Sequence, residues 1–113
     1  MPKTVFWISL AGILVLSLLP TEQLPPQTVQ VWDKAQHAIG FFWLGLCGHA
    51  AYPQAGFRVL SGVLLWGVAI ELAQTLTPWR QGDVLDWLAD ALGAGLATLV
   101  WLVWSRHRKT LPG

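Results

Sequence analysis

Residues 84–104 read VLDWLADALGAGLATLVWLVW, an apolar run interrupted only by Asp86, Asp90 and Thr98. Coiled as a helix at about 1.5 Å per residue, this stretch reaches roughly 31 Å, close to the ~30 Å hydrocarbon core of a bilayer. Lipid offers no hydrogen bonds to a peptide backbone, so a run of this kind can cross it only as a helix or within a closed barrel. A chain of 113 residues is too short for a barrel with long polar connections. The run is therefore predicted to be a membrane-spanning helix.

Three further apolar runs precede it. The first covers residues 5–19 and ends at Pro20, and the second covers residues 35–52. The third covers residues 57–76, with Arg58 at its start and Glu71 near its end. The first is short for a span, but Lys3 can extend its ammonium to the interface and the bilayer can thin. No small-x-small cleavage site follows it, which predicts an uncleaved first helix rather than a signal peptide. Pro20, Pro25 and Pro26 make the start of the first connection extended or turned. Residues 53–56, PQAG, form a tight turn, and Pro78 stops the third helix, leaving Asp83 to cap the fourth. The fold class expected is all-α: a four-helix transmembrane bundle with short loops. Residues 1–104 form a single membrane domain, and residues 105–113 form a basic, frayed cytoplasmic tail.

Composition agrees. The chain is 54% hydrophobic and 12% charged, where a soluble domain carries about 25% charged residues. The net charge of +1 and the absence of a broad basic patch argue against nucleic acid as a partner. The bilayer is the partner expected. Cys47 is the single cysteine, which excludes an internal disulfide and a cysteine-based metal site; within an apolar run it packs as a small hydrophobe.

Charge placement orients the bundle. With the N-terminus inside, Lys3, Arg58, Arg106, Arg108 and Lys109 are cytoplasmic, and Lys34 and Arg80 lie opposite. This is a positive-inside bias with both termini cytoplasmic. Trp7, Trp101 and Trp104 fall near the inner interface and Trp32, Trp79 and Trp87 near the outer one, as two aromatic belts would. All six carboxylates, Glu22, Asp33, Glu71, Asp83, Asp86 and Asp90, collect on the outer side.

Four groups of residues carry the candidate chemistry. Asp33-Lys34-x-x-His37 opens the second helix, with Asp33 as a cap or structural residue. His37 shares a face with Gly40, Leu44 and Gly48, so it points inward against a neighbouring helix. Glu71 lies deep in the third helix, where a carboxylate costs on the order of 1–3 kcal/mol unless paired, neutralised or hydrated. It is either functional or a lock between helices, and it shares a face with Gly67 and Gln74. Asp83, Asp86 and Asp90 lie on one face of the fourth helix, followed there by Gly93 and Ala97. Three stacked carboxylates repel unless cations or protons separate them; Arg80 is the obvious partner, with Lys34 the second. His49 and His107 are expected to have interfacial roles.

The series Asp33-Lys34-x-x-His37, Gly67-x-x-x-Glu71-x-x-Gln74, Arg80-x-x-Asp83-x-x-Asp86 and Ala89-Asp90-x-x-Gly93-Ala94 resembles the VanZ-like family of small bacterial membrane proteins. The resemblance covers residues 33–95, and Asp90 stands where that family usually has Asn. It implies a bacterial inner-membrane protein linked to the cell envelope. The family's founding member is associated with resistance to the glycopeptide teicoplanin, but the resemblance supplies no reaction.

Two functional readings follow. In the first, the outward polar site binds or modifies an envelope lipid or a peptidoglycan-related precursor. Lys34, Arg80 and Gln74 hold the substrate; His37, Glu71 and Asp86 carry the proton chemistry; Asp83 and Asp86 take a divalent cation. In the second, the chain is a noncatalytic scaffold or docking module, and the polar cluster is a structural network.

Overall fold

A computed structural model describes residues 1–18, 26–78 and 84–110, with side chains outside 26–33 and 109–110. Four helices follow one another: α1 (Pro2–Ser17), α2 (Pro26–Ala51), α3 (Gly56–Thr75) and α4 (Val84–Thr110). The described residues contain no strand, so among them the architecture is all-helical with four helices. Two stretches, Gly56–Thr75 and Val84–Arg108, are long and apolar enough to cross a membrane, and α1 is a shorter apolar helix.

Local chemistry explains most of the ends. Pro2 begins α1, where the missing N–H costs nothing and the fixed φ suits a helix. Pro53 follows α2, and the turn closes by an Ala55 N–H bond to the Tyr52 carbonyl at 3.0 Å. The end of α3 is tied off by Thr77, whose hydroxyl donates to the Ala73 carbonyl at 2.7 Å just before Pro78.

Two ends differ from the expectation. Asp33 does not cap α2, which begins at Pro26, about two turns earlier. Prolines 25 and 26 were read as breakers, whereas Pro26 stands at the first helical position, which a proline favours. Nor is the basic tail frayed from Ser105: α4 continues to Thr110. Its last turns carry Arg106, His107, Arg108 and Lys109, and positive charge is favourable beside the negative end of a helix dipole.

The closest packing is between α2 and α4, which run side by side in the same direction. The pairs Lys34–Asp86, His37–Asp90 and His49–Thr98 advance together along both helices. Small residues allow this approach. A Cβ on Gly45 would lie 2.6 Å from the Ala97 Cβ, and one on Gly93 would run into the Ala38 carbonyl oxygen. Phe6 and Leu10 of α1, Phe41 and Leu44 of α2, and Val59, Val63 and Ile70 of α3 fill the core between the helices.

Indole and amide groups tie the remaining helices. Trp66 Nε1 donates to the Leu10 carbonyl at 3.2 Å, and Trp87 Nε1 donates to the Leu64 carbonyl at 3.1 Å. Large apolar side chains, among them Ile8, Ile39, Leu65, Leu72, Leu92 and Leu99, are exposed on every helix. Exposed apolar side chains of this size on all four helices are compatible with a lipid surround.

The chain direction gives the bundle two different ends. Trp7 of α1 bonds Tyr52 beyond the end of α2, and Gln74 near the end of α3 bonds Ser17 at the end of α1. Lys3, Arg58 and the last turns of α4 therefore gather at one end. Lys34, Glu71 and Asp86 lie toward the other.

Candidate functional site

Three helices contribute one buried polar cluster. Positioned by the apolar face of α2, His37 is 6% exposed and its ring lies parallel to that of Phe41 one turn on. From α4, Asp90 is fully buried and brings Oδ1 to 2.6 Å from His37 Nδ1. Glu71 of α3 adds Oε1 at 3.7 Å from the same nitrogen. A hydrogen bond of 2.6 Å falls in the short, charge-assisted range. Ionised, the Asp90 carboxylate can only accept, so His37 Nδ1–H is the donor, and in the neutral ring the lone pair lies at Nε2.

Gly67 makes this meeting possible. A Cβ at that position would stand 2.9 Å from Asp90 Oδ2, 3.2 Å from Trp87 Cδ1 and 3.3 Å from Phe41 Cε2. The bare backbone of α3 therefore leaves the space that the α4 carboxylate occupies. Next to the cluster, Lys34 Nζ lies 3.4 Å from Asp86 Oδ1, and the Asp86 side chain is 3% exposed. The pair bridges α2 and α4 one turn away from the His37–Asp90 bond.

One imidazole nitrogen and two carboxylate oxygens, from His37, Glu71 and Asp90, all fall within 4.8 Å of one another. Such a mixed nitrogen and oxygen donor set suits a divalent cation. The same arrangement suits proton chemistry at one histidine, since both carboxylates approach Nδ1, Asp90 at hydrogen-bonding distance and Glu71 just beyond it, and both favour a charged ring.

The sequence grouping is rearranged in places. His37 and Glu71 meet, and Lys34 and Asp86 meet. Asp90, read as structural or capping, is the residue in direct contact with His37. Asp86 does not belong to the three-residue donor set, whose one aspartate is Asp90. Gln74 is fully buried, and its Nε2 donates to the Ser17 carbonyl at 2.8 Å. That bond satisfies an open carbonyl at the end of α1. Arg80, Asp83 and the side chain of Asp33 lie outside the described residues.

His49 also departs from its interfacial reading. It is 1% exposed, with Nε2 at 3.0 Å from Thr98 Oγ1 and its ring stacked on Trp101 at 5.9 Å. Thr98 gives its single proton to the Ala94 carbonyl at 2.9 Å, so its oxygen accepts from His49 Nε2–H. The His49–Thr98 bond is thus a second polar tie between α2 and α4. A polar residue at Thr98, amid small residues facing α2, was the available signal.

His37 also lines a cavity of about 320 Å³ between α1 and α2. Ile13, Leu16, Ile39, Gly40 and Phe41 make it apolar, and Ser17 and Gln36 stand with His37 as its polar members. A Cβ on Gly40 would reach 3.3 Å from Ile13 Cδ1, so glycine there keeps the two helices close beside the opening.

Comparison of the chain with family models, curated proteins and solved structures gives no match.

Proposed function

We propose that this chain is a VanZ-like, four-span protein of the bacterial inner membrane, with both termini cytoplasmic. Its outward-facing polar site binds or modifies an envelope lipid or a peptidoglycan-related precursor. The observation that carries this reading is the three-helix meeting of His37, Asp90 and Glu71 inside an apolar bundle. Burying two carboxylates and an imidazole among apolar helices is expensive, and membrane proteins retain such groups mainly where they act.

The described geometry supports a division of labour. Asp90 holds the His37 ring by Nδ1, so Nε2 becomes the base. Glu71 Oε1, 3.7 Å from Nδ1, adds a second negative charge beside the ring and favours the imidazolium formed when Nε2 takes up a proton. Lys34, already drawn to Asp86, offers a cation toward a phosphate or carboxylate, and Arg80 would add a second. The cavity beside His37 accepts hydrocarbon, which fits a substrate with a lipid tail. Where a divalent cation takes part, His37, Glu71 and Asp90 would hold it, and it would supply charge to a phosphoryl oxygen. A change in glycopeptide susceptibility would then be a consequence of altered envelope chemistry.

The test is envelope profiling. Lipids and peptidoglycan precursors are compared in cells with the wild-type chain, with no chain, and with His37→Asn at matched membrane levels. The expected result is one class of envelope species that changes on deletion and stays changed with His37→Asn. Full restoration by His37→Asn would remove the histidine from the chemistry.

A second reading has its own support: a noncatalytic scaffold. Gln74, Trp66 and Trp87 all give their donors to carbonyls of neighbouring helices. On that reading the His37 cluster is one more tie between helices, and its variants lose function only as they lose stability.

A further inference from the structure

We infer that the groove between α1 and α3 is a binding site for one anionic phospholipid, separate from the His37 cluster. The groove has a volume of about 560 Å³, within the range of about 300–1,000 Å³ typical of small-ligand sites. Phe6, Leu10 and Trp66 form apolar walls, and Tyr52 and Arg58 lie at its polar end.

Its construction is specific. α1 and α3 are held together across the groove by the Trp66 indole, which donates to the Leu10 carbonyl at 3.2 Å. Gly62 lines the space between them, and a Cβ there would find no atom within 4 Å. Gly62 therefore faces open space in the groove, room that a larger side chain there would occupy.

Charge identifies the occupant. Arg58 lines the slot, and Lys3 places its ammonium 5.2 Å from the centre of the Tyr52 ring. The Tyr52 oxygen accepts from Trp7 Nε1 at 3.0 Å, which leaves the phenol proton to donate elsewhere. Two cations and a hydroxyl donor at the end of a hydrocarbon slot match a phosphate joined to an acyl chain. These cations also sit at the basic end of the bundle, where anionic headgroups concentrate in a cytoplasmic leaflet.

The full chain is reconstituted in vesicles of phosphatidylcholine with phosphatidylglycerol as the minor component. It is then extracted in mild detergent, and the retained lipid is counted by native mass spectrometry. Retained phosphatidylglycerol should be enriched roughly tenfold or more over the vesicle, as two nearby cations imply. Gly62→Leu fills open space and should abolish tight retention without unfolding the bundle. Lys3→Gln with Arg58→Gln should keep a retained lipid but return its composition to that of the vesicle.

Retained lipid of bulk composition in the wild type overturns the inference. So does enrichment that survives Gly62→Leu, because it then reflects surface charge alone. A dimer that Gly62→Leu dissociates, with no enriched lipid, assigns the groove to a second copy of the chain and also overturns it.

Discussion

His37 Nδ1 and Asp90 Oδ1 lie 2.6 Å apart across the α2–α4 interface, with Asp90 fully buried. This bond fixes a tautomer, and the bundle contains its own control. His37 should carry its proton on Nδ1, whereas His49, which donates to Thr98, should carry it on Nε2. Nitrogen NMR of histidine-labelled protein should resolve both forms. Asp90→Leu should release His37 and leave His49 unchanged. Observation of Nε2–H at both residues in the wild type would show that the His37–Asp90 bond is not made as described.

Glycines should rank by what surrounds them. Gly67→Ala presses a methyl group against Asp90 Oδ2 and Trp87, which should cost about 1–3 kcal/mol and disturb the cluster. Gly93→Ala should be worse, since its methyl group meets the Ala38 backbone. Gly95 has open space around it, so Gly95→Ala should gain about 0.5–1 kcal/mol from helix preference. Thermal unfolding in detergent checks the order; equal effects at all three positions would contradict the packing.

Gln74 separates structural from chemical roles on one helix. Its amide satisfies the Ser17 carbonyl, so Gln74→Leu should cost about 1–3 kcal/mol through the unmade bond. Envelope function should fall only as far as the folded protein does. Lost function at unchanged stability would return Gln74 to the substrate site.

Topology can be read directly. The basic end of the bundle should face the cytoplasm, so a reporter fused after Pro78 should be external and one fused after Arg108 cytoplasmic. The opposite pattern would place the His37 cluster on the cytoplasmic side and remove the outward-facing site.

The helices were legible because their causes are local. Long apolar runs separated by Pro20, Pro53 and Pro78 leave few alternatives to helices. The inward direction of His37 was legible for the same reason, through Gly40, Leu44 and Gly48 on its face. The start of α2 was not, because a proline pair reads equally as a break or as a first turn. Residue partnerships were harder still. Asp86 and Asp90 are one turn apart and chemically alike; the stagger of α2 against α4 decides that one meets Lys34 and the other His37. Gln74 and Glu71 share a broad face, yet the position of α1 gives the amide a carbonyl to bind. Neither the stagger nor the position of α1 is a property of one helix.

The measurement that bears most directly on the His37–Asp90–Glu71 centre is Glu71→Gln, followed in parallel by thermal unfolding and by the envelope species that responds to the chain. The amide keeps the shape and most of the hydrogen-bonding capacity of the carboxylate while removing its charge, and burial of a charge carries a desolvation cost. If the cluster acts chemically, the melting temperature should hold or rise while the envelope response is lost. A Glu71→Gln protein that folds normally and retains the full response would contradict a chemical role for the centre.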